Sequence, residues 1–343
     1  MQQKSRVLTL CGFALGASIV AGCASQSSSG PSAGALAPAG GSTTRAATGV
    51  VTLGAHPESA AGRLTHGWLS PEARRGKKLV YVSDQQTDTV TIYPARKTNP
   101  APIGSITEGV NIPDGLAVDA KGDLYVANAG STTVTVYPPG RTTPSFTYSP
   151  GQNPVAVVVG SDKTVYIAQG FDGCLCITEY VKGSGSPKLT IPLDQTGGSP
   201  IDVALDASNN LYVALTNATV YKFAPGQTSG SNLGLDGLTN PRGLAFDKQG
   251  DLVVANDTLN FNAGDVDIYP PGQQMFSKQF VPGPQPFEIT FGLGRKLLYV
   301  ANVSYGDTGL VAIFNAKQGY KQVGTISQGL EQPLGVALSP DAK

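Results

Sequence analysis

The chain has 343 residues, of which 24 are Lys or Arg and 24 are Asp or Glu, so its formal charge balances. That balance lacks the basic footprint of nucleic-acid binding, and no nucleic-acid partner is expected. Charged residues make up only 14%, whereas Gly (43) and Pro (25) are abundant, which favours short strands and tight turns over long solvated helices.

The first element is a leader. "MQQKSR" supplies positive charge, and "VLTLCGFALGASIVAG" is an apolar stretch too short for a comfortable membrane span. It runs into Val20-Ala21-Gly22-Cys23, which resembles the lipobox of bacterial lipoproteins. By that resemblance residues 1–22 are a signal peptide, Cys11 is lost with it, and Cys23 becomes the lipidated N-terminus. No Asp follows Cys23, so the inner-membrane retention signal is absent and an outer membrane or cell surface is the expected address. The expected membrane contact is made by lipid chains, not by a spanning segment. Residues 23–48 are rich in Ser, Gly, Ala and Pro and read as a flexible tether. Residues 49–75 are transitional, with Trp68 and Leu69 expected to pack on the folded body and "PEARRGKK" expected to be exposed.

A repeat follows. Runs beginning at Val80, Leu124, Val165, Leu211, Leu252 and Leu298 read as variants of Leu-Tyr-Val-Ala and lie 44, 41, 46, 41 and 46 residues apart. A period in the low forties with several short β-rich runs per unit points to propeller blades. Each unit parses into an innermost strand starting at Pro, as in Pro113 to Val118, and a second strand, Leu124 to Ala127. A third, Val134 to Tyr137, and a more polar fourth, Ser145 to Tyr148, complete it. The inner strands are apolar on both faces, as expected where neighbouring blades cover both. The terminal "PLGVALSPDAK" is an innermost strand without a partner, and "KKLVYVSD" at residues 77–84 is a second strand lacking its innermost one. Joining them gives six four-stranded blades over residues 76–343, closed by the C-terminal strand. In a competing parsing residues 65–78 form a degenerate innermost strand, and the C-terminal segment is a truncated seventh unit. The unit "P-x-G-[LV]-A-[VFL]-D-x-x-G-x-L-Y-V-A-[ND]" followed by V-x-V-Y resembles NHL-repeat β-propellers. It is also similar to their relatives, the gluconolactonase/regucalcin-like enzymes and streptogramin lyases. The resemblance specifies a fold that hosts enzymes, binding modules and scaffolds alike.

Strand direction puts the start of each innermost strand and the hairpin between strands two and three on one face. That face collects Asp114, Asp202, Arg242 and Glu288, with apolar Val155 and Leu334 elsewhere around the ring. The hairpins add Asp84, Asp172, Asp257, Asn260, Asn262, Tyr305 and Asp307. Asp114, Asp202, Arg242, Glu288, Asp257 and Tyr305 are the candidate ligand-binding residues. The regucalcin resemblance implies a divalent ion such as Ca at the axial mouth, with Asp114, Asp202 and Glu288 as oxygen ligands. Asp114 and Glu288 would then be the catalytic candidates of a lactonase-like hydrolase. The matching "PNG" segment is missing, however, and Arg242 would repel a cation. The other reading makes Asp114 a turn cap and Asp202, Arg242 and Glu288 a hydrogen-bonded axial cluster. The only histidines, His56 and His66, precede the repeats, which argues against His-based catalysis there. "DTLNFNAGDVD" at 257–267 is faintly similar to a calcium loop but lacks its order and closing Glu. In "GCLC", Cys174 and Cys176 share one side of a strand; a short disulfide and two packed thiols both remain open. The expected protein is a monomeric, envelope-anchored propeller binding a protein, peptide or glycan. A metal-dependent hydrolase and a scaffold for envelope proteins are the alternatives.

Overall fold

The computed structural model describes residues 67–74, 78–95, 99–171, 174–258, 263–292, 294–304 and 308–340. Cys23, Asp172, Asn260, Asn262, Tyr305, Asp307, His56 and His66 lie outside the described residues. The described chain forms six antiparallel sheets in a ring, a six-bladed β-propeller.

Blade two is the simplest unit, with strands Pro113–Val118, Leu124–Asn128, Thr133–Tyr137 and Phe146–Tyr148 in that order from the axis outward. Successive innermost strands touch around the ring: Pro113–Val118, Asn153–Val159, Pro200–Leu205, Pro241–Phe246, Gln285–Gly292 and Pro333–Leu338. The side-chain period of two explains the unbroken apolar runs. In blade two, Leu124 and Val126 pack against Leu79 and Tyr81 of blade one. The alternate residues Tyr125 and Ala127 pack against Val157, Val165 and Ile167 of blade three. Equivalent clusters fill every other junction of the ring, so the core is the sum of six inter-blade contacts.

The ends of the repeat region meet as expected. Pro333–Leu338 pairs antiparallel with Leu79–Asp84, with Val80 opposite Leu338, Tyr81 opposite Ala337 and Val82 opposite Val336. The seven-unit parsing is excluded, because Trp68–Leu69 pairs with Ser105 and Gly104 at the outer edge of blade one. That blade is therefore five-stranded, and the folded body begins before residue 76. Pro71–Arg74 makes a single helical turn and buries Ala73, so "PEAR" is not wholly exposed.

Polar repeat positions hold the turns. The Asp of "D-x-x-G" accepts two backbone N–H groups through one oxygen: Lys121 and Asp123 at Asp119, Gln249 and Asp251 at Asp247. This is an Asx turn fixing the first hairpin. The Asp or Asn closing strand two holds the crossover into its blade. Asp84 accepts from Glu331 and Gln332, Asn128 from Asn111, and Asn256 from Thr239 and Asn240. The Tyr closing strand three donates to the same crossovers, Tyr93 to Gln328 O, Tyr137 to Glu108 O and Tyr269 to Asp236 O. Tyr125, Tyr166, Tyr212 and Tyr299 of the second strands are buried between blades.

Candidate functional site

An innermost propeller strand has no partner on its axial side, so its backbone N–H groups face the channel and need acceptors. Asp202 and Glu288 supply them. Asp202 Oδ2 accepts from Leu244 N at 2.6 Å. Glu288 Oε2 accepts from Leu116 N at 3.0 Å and Val336 N at 3.2 Å, tying blade six to blades two and one. In the repeat both residues occupy the position of Gly115, Gly243 and Gly335, one residue beyond Asp114 and Arg242. A Cβ at Gly335 would lie 2.6 Å from Glu288 Oε2, so the glycine makes room for the carboxylate.

Burial dominates the electrostatics of this cluster. It pushes the Asp202 carboxyl up to about 7 against the hydrogen bonds from Leu244 and Val203, and Asp114 raises it further. Burial also raises Glu288 well above the ordinary glutamate value, with Asp202 the next contributor. Asp114 is pushed up to about 7 by burial, and Arg242 opposes the shift. Arg242 itself lies 3.7 Å from Asp257 Oδ2 and stacks over the Phe287 ring at 4.7 Å. The axial cluster thus combines three mutually repelling carboxyls with a guanidinium held mainly at its side.

These contacts revise the expected roles. Among the described residues no group of three or more His, Cys, Asp or Glu is placed to hold a metal ion. Asp114, Asp202 and Glu288 therefore do not fit the divalent-cation site that the resemblance implied, since Asp202 and Glu288 spend oxygens on backbone donors. Asp257 is buried and accepts from Asn240 Nδ2 at 3.2 Å, so it does not face a ligand. Asp84 is likewise buried. In the segment similar to a calcium loop, Asp267 accepts instead from Asn256 Nδ2 at 3.1 Å. Cys174 and Cys176 form a disulfide.

Among the described residues, two open spaces lie on the opposite rim, where strand one turns into strand two and strand three into strand four. An axial vestibule of about 260 Å³ has Asp202 and Glu288 at its floor and Val159, Leu205, Phe291 and Leu338 in its walls. Beside it, a groove of about 790 Å³ runs between blades four and five. Its polar lining includes Asp206, Lys222, Asp247, Gln274 and Arg295, and Arg295 lines both spaces. Burial would raise the Asp206 carboxyl, but hydrogen bonds from Asn210 and Ser208 outweigh it and hold the group below its ordinary value. Lys222 Nζ stands 3.9 Å from Asp206 Oδ2, and Arg295 Nη1 donates to Asp247 O at 2.8 Å. Sequence reasoning missed Lys222, Gln274 and Arg295 by searching the other rim. Their one signal was departure from the repeat: the counterparts of Lys222 in blades one, two, five and six are the apolar Ile92, Val136, Ile268 and Ile313, and only blade three also carries a charge there, at Glu179.

The fold defines the chain as a β-propeller. No family model matches its sequence, and no curated relative does. Solved structures are similar in fold. A chain in the crystal structure of a nidogen/laminin complex is 18% identical with a TM-score of 0.61, over 76% of this chain and 98% of that one. A protein of unknown function from Bacteroides caccae is 13% identical with a TM-score of 0.60, over 77% and 99%. Hydrazine synthase from Kuenenia stuttgartiensis is 20% identical with a TM-score of 0.54, over 84% and 93%. At these identities the likeness concerns architecture alone.

Proposed function

We propose that the protein is a lipid-anchored binding module of the bacterial cell envelope, and that it captures a protein, peptide or glycan in the groove between blades four and five. The groove is the observation that carries this reading. It is large, both charge signs line it, and Met275 (71% exposed) and Val281 (73% exposed) stand in blade five beyond it. Exposed apolar residues beside a polar cleft are a usual feature of recognition surfaces. The Cys23 lipobox and the tether support the anchored placement, in which a monomeric body stands off the membrane. The hydrolase alternative is less favoured, because two of the three carboxylates proposed for it, Asp202 and Glu288, are engaged in holding neighbouring strands.

The test is a screen of the intact protein on peptide and glycan arrays, repeated with Lys222→Glu and Arg295→Glu. A captured ligand should weaken by about tenfold or more in either variant, as charge reversal within a contact predicts. Lys121→Glu, an exposed change in blade two, should leave binding unchanged. Equal binding by all four proteins would remove the groove from the function. Anchoring is checked separately by palmitate labelling, which Cys23→Ser should abolish.

A further inference from the structure

The molecule contains a second copy of this groove, already filled. The space between blades one and two is lined by Tyr81, Ile92, Ile106, Leu124, Tyr137 and Gly140. Strand register matches these with Tyr212, Lys222, Leu233, Leu252, Tyr269 and Gly272 of the groove between blades four and five. Tyr81 pairs with Ile92 as Tyr212 pairs with Lys222, and Leu124 opposes Tyr137 as Leu252 opposes Tyr269. Between blades one and two the occupant is the chain's own segment 67–74. Trp68–Leu69 adds a strand to the outer edge at Ser105 and Gly104, and the helical turn Pro71–Arg74 then crosses the groove. Only about 10 Å³ remains empty there, compared with about 790 Å³ in the counterpart. The glycines show the same contrast. A Cβ on Gly140 would lie 3.6 Å from the Arg74 backbone, whereas one on Gly272 would meet nothing within 4 Å.

We propose that the groove between blades four and five receives a segment of a partner polypeptide in the manner of segment 67–74: an extended dipeptide on the edge Ser231–Asn232, followed by one helical turn over Gly272. The inference rests on the binding reading above and narrows its ligand to polypeptide. The edge is prepared for it, since Ser231 and Asn232 are exposed and, among the described residues, no strand pairs with their outer side. An unpaired edge offers the backbone donors and acceptors that strand addition needs.

The side chains also specify a difference. Ile92, beside Leu69 in the filled groove, is replaced by Lys222. A partner residue in the place of Leu69 would therefore be acidic, where it meets the Lys222 ammonium. Four residues later, in the place of Ala73, a small residue is required, because the turn must approach the loop Pro270–Gly272 as closely as Pro71–Arg74 approaches Gly140. The motif is acidic, three intervening residues, then Ala, Gly or Ser.

Two synthetic peptides test this against the intact protein by fluorescence anisotropy. One has the sequence of residues 67–74, and the other carries Glu in place of Leu69. The wild type should prefer the Glu peptide by about tenfold, the size of one favourable charge contact. Lys222→Ile, which copies blade one, should reverse the preference. If neither peptide binds while a glycan is captured in a Lys222-dependent way, the polypeptide inference fails and the groove reading stands. If capture of any array ligand is indifferent to Lys222 and Arg295, both fail. Binding of both peptides without a reversal in Lys222→Ile would overturn the proposed register.

Discussion

Blades two and five are written in nearly the same words, "GLAVDAKGDLYVANAG" and "GLAFDKQGDLVVAND". Their shared residues do the same structural work: Asp119 and Asp247 close the first turn, Asn128 and Asn256 hold the crossover, and Tyr137 and Tyr269 bond its carbonyls. The differences fall where a blade meets something other than its neighbours in the ring. At the axis, Asp114 of one blade faces Arg242 of the other. At the outer groove, the "PPG" loop of blade two is covered by the turn Pro71–Arg74, while that of blade five is open. Repetition thus marks what the scaffold requires, and departure from it marks where the molecule is free to recognise something.

The largest expected effect tests the equivalence itself. Gly115→Val and Gly243→Val both drive a side chain into the neighbouring innermost strand. The Cβ would lie 2.8 Å from Ala156 Cα in blade two and 3.0 Å from Glu288 Cα in blade five. Each should cost about 3 kcal/mol or more in urea unfolding, because backbone cannot step aside as a side chain can. A loss in only one blade would break the comparison.

Ala73→Asp should come next, with a loss of about 2–4 kcal/mol, because a carboxylate would be buried in the groove covered by segment 67–74. Gln273→Asp, at an exposed position lining the open groove, should be nearly silent. Thermal melts of the two proteins check the contrast. Asn128→Ala and Asn256→Ala should each lose about 1–2 kcal/mol, the cost of leaving crossover N–H groups without their acceptor. Asn256 holds two such groups to Asn128's one and should be the more sensitive.

The smallest effect separates the axial residues. Burial sets the Asp114 carboxyl near 7, above its ordinary 3.8, so the fold prefers the neutral acid. Its contribution is complete below about pH 3.8 and fades as pH rises through about 7. Asp114→Asn should therefore flatten part of the stability loss between about pH 4 and about pH 7. Unfolding curves with the same pH slope as wild type would show that the carboxyl is already solvated.

Residue spacing alone made the ring, the blade count and the closing pair legible. The apolar runs recur at a fixed period, and two incomplete units at opposite ends complement each other. The axial residues were legible only as a group. Asp202 and Glu288 were recognised as members of a hydrogen-bonded axial cluster, but their role as acceptors for the channel-facing N–H groups of other blades was not. The groove was not legible at all, because it is defined by what fails to cover it.

By itself, then, the sequence determined every interaction that repeats, since local turn chemistry and period-two alternation act over a few residues and are written in each unit. Tertiary structure alone decided which carboxylates meet at the axis and which of two matching grooves segment 67–74 fills. Those outcomes depend on through-space contact between residues from different blades, which no local pattern encodes.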